Sequence, residues 1–416
     1  MGDRRLRGSG EVRLDGERPL PRSLEQHELA ALTAIAHRRA LVASPLWARL
    51  GADAERLTRA LEYRRPARPA PRPERRFLRA VAWNIERGNR LDGVLGLLQS
   101  APQLADCDFV ILNEADVGMA RSGNRHAARE IAEALGMEMA FGNSYLCLTQ
   151  GDSRDGAPKE KNRESLHGNA ILSRWPLLRA ESFSVEVTRD KFESSEKRLG
   201  HKKAMWAEAE TPLGRVSLMT PHLDPYASPA QRGAQLQHAL DKVGEHGLGP
   251  VLLGGDLNTT TYDLETIPAL VKNVTGKMLR GGFQHAIDAY MRPFERYERP
   301  IFEALEKAGF DWRAFNDLHT GSVRYEAGTF DSESKVRDHV PGVVVHFLRW
   351  KLRPWNGKVP IKVDWFAARG LRALAAGELE DAGGRKSQAP TVLERARWQG
   401  EWVSDHDPIV VDVVPA

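Results

Sequence analysis

Apolar positions along this chain follow two spacings, and the change from one to the other divides it. After Ser23, with Glu25 and Gln26 suited to a helix start, Leu29, Leu32, Ile35, Ala36 and Ala40 recur at helical spacing, and a second helical stretch runs from about Ala52 to Tyr63. The run from Arg64 to Arg76 holds four prolines, which forbid a regular helix and favour an extended connector. From Phe77 onward short apolar runs alternate with helical stretches. Strands are expected at Leu78–Trp83, Phe109–Leu112, Gly168–Leu172, Trp206–Glu210, Val216–Thr220, Pro250–Leu253, Val363–Ala367 and Ile409–Val413, and helices at Leu91–Leu98, Arg125–Leu135 and Gln231–Val243. Many short strands with interspersed helices predict an α/β fold whose sheets pack face to face with helices outside. Residues 1–76 read as an Arg- and Pro-rich extension, its first 22 residues a flexible tail. Residues 77–416 read as the main domain, with a large insertion at about 262–360.

Composition narrows the class. The 416 residues are ample for a core, and no run of about 18 apolar residues exists that would predict a membrane-spanning helix. The polar start Met1-Gly-Asp-Arg-Arg lacks the apolar segment of a secretory signal, and two cysteines, Cys107 and Cys147, make no disulfide framework. A reducing, cytoplasmic location is therefore expected. The net charge is +4, but residues 1–79 hold 18 Arg against 10 acidic residues, which leaves −4 for the remainder. An acidic main domain weakens a nucleic-acid reading, since duplex binding draws on phosphate neutralisation by Lys and Arg. The arginines of 64–76 fit either a polyanion arm or, more simply, a solvated linker.

Polar residues cluster just after the apolar runs: Asn84 and Glu86, then Glu114, His222 with Asp224, and Asp256 with Asn258. Asp364 lies within a short strand, and Asp405-His406-Asp407 precedes the last one. Side chains at several strand ends converge on one sheet edge, where ligand sites are commonly built.

Seven motifs in order resemble the endonuclease/exonuclease/phosphatase superfamily: Ala82-Trp-Asn-Ile-Glu-Arg-Gly88, Ile111-Leu-Asn-Glu114, Leu166-His-Gly-Asn-Ala-Ile-Leu-Ser-Arg174, Thr220-Pro-His-Leu-Asp224, Gly254-Gly-Asp-Leu-Asn258, Val363-Asp-Trp-Phe366 and Ser404-Asp-His-Asp-Pro408. The resemblance implies a four-layer α/β sandwich, two mixed β-sheets flanked by helices, that hydrolyses phosphoesters with Mg²⁺ or Mn²⁺. It implies Glu114 as principal metal ligand, with Glu86 and Asp405 as further candidates; Mg²⁺ takes few carboxylates beside water and phosphate oxygens. It places Asp256 to orient and deprotonate a water, with Asn258 and Asn84 donating to phosphate oxygens. His222 resembles a phosphate-contacting histidine that is also a candidate proton donor, with Asp364 as the carboxylate that orients it, and His406 resembles one that supports charge on the nonbridging oxygens. Asn169, Arg121 and Arg125 are candidate phosphate contacts, the two arginines lying in a loop that serves equally well as a helix cap. Lys197-Arg-Leu-Gly-His-Lys-Lys203 fits a basic rim or a solvated loop.

The expected activity is a phosphodiesterase acting on nucleic acid or on a lipid or small diester. An inositol-phosphate type of monoesterase, or a non-catalytic phospho-ligand binder, is the alternative; loss of the metal acid, of Gly-Asp-Leu-Asn or of the last histidine would mark the non-catalytic case, and none is lost. The run Val343–Trp355 mixes apolar, aromatic and basic residues, as a core strand with an amphipathic edge would, or a peripheral membrane contact.

Overall fold

Along the strand Leu78–Arg87, Leu78, Ala80 and Ala82 face one way and Val81, Trp83 and Ile85 the other, and the two sets enter different cores. This period of two is what a strand buried on both faces requires. The computed structural model describes residues 9–151, 160–185, 187, 188, 190–264, 266–326 and 358–416. Leu78–Arg87 runs parallel to Phe109–Val117 and antiparallel to Ile409–Pro415 in a sheet that continues through Leu166–Ser173, Glu138–Cys147 and Leu61–Arg64. The second sheet has six strands, in the order Val12–Arg13, Leu177–Ser184, Lys203–Thr211, Gly214–Thr220, Val251–Asp256, Asp364–Arg369. Its inner face meets the first through Met205, Ala207, Leu218, Leu252 and Phe366, packed against Ala80, Phe109, Ile111 and Ile171. Helices Leu91–Ser100 and Ala127–Leu135 cover the outside of one sheet; Pro229–Glu245 and Arg299–Lys307 cover the other. The result is the expected four-layer sandwich.

The extension differs from its sequence reading. The expected first helix is split into Gln26–Ala34 and Arg38–Val42, because Ile35 and His37 are extended. The second starts earlier, at Pro45, where the Ser44 hydroxyl accepts from the Trp47 amide. It ends at Thr58, and Leu61–Arg64 is an edge strand rather than helix. Leu29, Leu32, Leu41, Leu50 and Leu57 are buried in the outer core. Parts of the tail and of the linker are held on the main domain. Val12–Arg13 pairs with Leu177–Ser184, and the Arg75 guanidinium is buried between Asp106, Asp108 and Asp381.

The insertion also contributes to the core. Ile301, Phe302 and Leu305 of the helix Arg299–Lys307 pack with Trp312 against Trp365 of the second sheet. A longer helix, Ile267–Met291, precedes it and is broken by non-helical backbone at Gly281 and Gly282. The run Val343–Trp355 lies outside the described residues.

Candidate active site

Strand direction gathers the polar residues. Leu78–Arg87 and Phe109–Val117 end at the same edge as Gly214–Thr220 and Val251–Asp256 of the other sheet, while Asp364–Arg369 starts there, with Asp364 opposite Asp256. The segment before Ile409 arrives at the same edge, because Ile409 pairs with Ala82. Two irregularities turn side chains out of the ladder. Between the pairs Asn84–Asn113 and Arg87–Ala115, Ile85 and Glu86 stand opposite the single residue Glu114. Glu86, Arg87, Glu114 and Asn258 all have positive φ, a backbone state L-residues seldom adopt, and its concentration at one edge points to a functional constraint. Gly255, at φ 147°, has no room for a Cβ, which would lie 2.7 Å from the Asn113 side chain.

A buried amide network fixes Asp256. Its backbone N–H donates to Asn113 Oδ1 at 2.9 Å, and Asn113 Nδ2 donates to Asn169 Oδ1 and Thr220 Oγ1. Asn169 in turn donates to the Lys203 carbonyl. The Asp256 carboxylate accepts from Asn258 Nδ2 at 3.0 Å, from the Asn258 backbone N–H at 2.7 Å, and from Asn84 Nδ2 at 3.3 Å. Burial, reinforced by the Asp364 carboxylate and opposed by His406, pushes Asp256 up to about 6.

His222 Nε2 lies 3.6 Å from both Glu114 Oε1 and Asp256 Oδ2, and it is a buried atom with no hydrogen-bond partner. Burial and the nearby Lys202 hold His222 well below its ordinary value, so it is neutral at pH 7. Glu114 is only 27% exposed, yet its pKa stays well below the ordinary carboxylate value: burial works against the charge, and His222, His167, Arg87 and Lys202 outweigh it. His406 is the opposite case. Burial opposes its charge, but Asp364 and Asp405 hold it well above 6.5.

Several expected roles change with this geometry. Asp364 does not orient His222; its Oδ2 lies 2.8 Å from His406 Nδ1, because both residues flank the edge where their strands begin. That loop is fixed by Trp83 Nε1 donating to the His406 carbonyl and by Ser404 Oγ donating to the Asn84 carbonyl. Arg121 is fully buried between Asp116 and Glu196, so its guanidinium does not face a ligand. Arg125 pairs with Asp92 and Glu130, and Asn169 is committed to the amide network. Asn258 gives its amide hydrogens to Asp256 and the Leu223 carbonyl. Asn84 makes one side-chain donation and keeps an amide hydrogen. Asp224 terminates a strand by accepting from the Thr188 and Tyr226 amides.

Sequence reasoning missed Asn113 and Lys202. Asn113 stood in the Glu114 motif, and strand alternation, which sends it inward if Glu114 points out, was the available signal. Of the basic segment, Lys197 and Lys203 reach back to carbonyls at the ends of the N-terminal helices, while Lys202 lies near enough to act electrostatically on Glu114, His222 and Asp256. No group of three His, Cys, Asp or Glu among the described residues stands close enough to hold an ion unaided. The Glu114 carboxylate, an oxygen donor with few protein oxygens around it, suits a hard cation that keeps much of its water shell.

Among solved structures, the chain is similar to an endonuclease/exonuclease/phosphatase from Beutenbergia cavernae (17% identity, 82% of this chain and 72% of the other, TM-score 0.47). It is also similar to D. rerio TDP2 complexed with single-strand DNA product (15%, 82% and 99%, TM-score 0.41) and to the human Nocturnin catalytic domain with bound sulfate (12%, 86% and 98%, TM-score 0.41). No curated protein matches the sequence. The profile of the Endonuclease/Exonuclease/phosphatase family matches residues 81–406, which contain every side chain of the site from Asn84 to His406. Members of that family are generally phosphoester hydrolases and typically depend on divalent metal ions. The chain belongs to the endonuclease/exonuclease/phosphatase family.

Proposed function

We propose that this protein is a divalent-metal-dependent phosphodiesterase whose chemistry is carried out by Glu114, Asp256, His222 and the His406–Asp364 pair. The observation that carries the reading is the meeting at one sheet edge of the buried Asp256, of His222, whose Nε2 lies 3.6 Å from both Asp256 and Glu114, and of the His406–Asp364 pair at 2.8 Å. Glu114 is the residue to hold Mg²⁺ or Mn²⁺, with Glu86, adjacent across the paired strands, beside it; Asp405, 48% exposed next to His406, is the further candidate from the sequence. When bound, the ion supplies positive charge to the phosphate oxygens. Asp256 accepts a proton from the attacking water, and a base poised near neutrality is efficient in that task. Asn258 and Asn113 hold Asp256 in place, while the remaining amide hydrogen of Asn84 is directed to a phosphate oxygen. His222, neutral, contacts the phosphate through Nε2. His406 carries a proton held by Asp364 and neutralises the leaving or nonbridging oxygen, with the Asp364 partnership that the sequence reading gave to His222.

Pairing of Arg64, Arg72 and Arg75 with acidic side chains removes the simplest argument for a nucleic-acid arm. The favoured substrate class is accordingly a lipid or small phosphodiester. The test is release of p-nitrophenol from bis-(p-nitrophenyl) phosphate and from the monoester by the full chain, with Mg²⁺, Mn²⁺ or EDTA. Metal-dependent turnover that favours the diester is expected. Turnover of the monoester alone would reassign the protein as a monoesterase, and none on either would favour the phospho-ligand binder.

A further inference from the structure

Before its break at Gly281, the helix Ile267–Met291 exposes large apolar side chains. Pro268, Val271, Lys272, Thr275 and Leu279, all exposed, fall within an arc of about 100° on the helical wheel, with exposed Arg280 about 80° beyond its Lys272 edge, and Val271 and Leu279 are 57% and 84% exposed. Lys277 points the other way and is buried. Its ammonium donates to the carbonyl and hydroxyl of Thr261 at 2.7 and 2.8 Å and sits over the rings of Tyr262 and Tyr297. A soluble helix normally turns its lysine out and its leucine in. Here Lys277 is held inward by specific contacts, and only four large hydrophobic side chains are strongly exposed among the described residues, two of them on this face.

Charge identifies what the face meets. From residue 266 to the break at Gly281 the sequence holds Lys272, Lys277 and Arg280 and no Asp or Glu, and the one acid of the helix, Asp288, lies beyond the break. Exposed apolar residues flanked by exposed cations, with acids excluded, match the interface of an anionic bilayer: apolar side chains enter the headgroup boundary and cations meet lipid phosphates. The helix is tied to the active-site edge at two points. Lys277 holds Thr261, three residues beyond Asn258, and the Tyr290 carbonyl accepts from the Lys362 amide, two residues before Asp364.

We propose that the outward face of the helix Ile267–Met291 docks the protein on an anionic phospholipid surface, with Val271 and Leu279 in the interface and Lys272 and Arg280 against lipid phosphates. The docked helix lies beside the mouth of the site and so brings a phosphodiester headgroup within its reach. The proposal stands apart from the catalytic reading, because binding is measured without turnover.

The experiment is co-sedimentation of the full chain with vesicles of phosphatidylcholine alone or mixed with phosphatidylglycerol. Binding to the mixed vesicles only, weakening as salt rises, is expected. Val271→Asp with Leu279→Asp should lower it about tenfold, and Lys272→Glu with Arg280→Glu should abolish its salt dependence. Both double variants should hydrolyse bis-(p-nitrophenyl) phosphate at the parent rate, which also reports that they are folded. Absence of vesicle binding by the parent, or equal binding by the aspartate variant, would overturn the proposal. So would a concentration-dependent dimer lost in that variant, which would assign the face to a second copy of the chain. A catalytically inactive parent that still binds vesicles would sink only the hydrolase reading.

Discussion

Two histidines in one pocket carry opposite charge states for identifiable reasons. His222 is buried with Lys202 nearby and makes no hydrogen bond to Glu114 or Asp256, each 3.6 Å away, whereas His406 is hydrogen-bonded to Asp364 with Asp405 beside it. The sequence offered both histidines and Asp364 but not their pairing, since pairing depends on which strands begin at the shared edge. Asp364→Asn should therefore act through His406: kcat falls about tenfold to a hundredfold with little change in KM. Loss of the same size in a protein already lacking the His406 imidazole would contradict the coupling, because a double-mutant cycle should show the second change to be nearly silent. For Asp256→Asn, which keeps the shape and removes the base, kcat should fall on the order of 10²–10⁴-fold.

At the scale of elements, the strands that bear motifs were legible because apolar runs ending in acids or amides repeat from Leu78 to Ile409. What was not legible is how the N-terminal extension packs. Its helices bury leucines against a sheet formed later in the chain, and its arginines find acids as distant as Asp381, pairings no local pattern encodes. Removal of residues 1–72 should accordingly leave Glu138–Cys147 as an exposed edge strand, uncover the outer core and yield insoluble protein. Solubility and circular dichroism of a truncation starting near Pro73 decide it, and a soluble, folded and active product would contradict the packing described. The buried Lys203, which connects the Thr58 carbonyl to the Asn169 network, ties that extension to Asp256. Close packing sets a second test. A Cβ on Gly96 would lie 2.4 Å from the Trp398 ring, so Gly96→Ala should lower stability by about 1–3 kcal/mol in urea unfolding, and an unchanged midpoint would disprove that contact.

Across the whole molecule, stability in acid depends on buried carboxylates that bridge the extension to the main domain. Glu62 accepts from His126 and Arg129; burial alone would raise its pKa, but these two partners lower it from 4.5 to about 2. Because the folded value is the lower one, the stabilisation is complete above the unfolded pKa and is lost as pH falls from about 4.5 toward 2. Urea midpoints should drop through that window in the parent and less steeply in Glu62→Gln. Equal slopes would show that another group governs acid unfolding.

The central claim is that Glu114 serves the metal and Asp256 the water within one pocket. A titration of Mg²⁺ against hydrolysis of bis-(p-nitrophenyl) phosphate, run side by side on Glu114→Gln and Asp256→Asn, tests it most directly. Glu114→Gln should recover part of its activity at high metal concentration, because only the ligand is weakened, and Asp256→Asn should stay inactive at every concentration. Metal rescue of Asp256→Asn with none for Glu114→Gln would contradict the assignment.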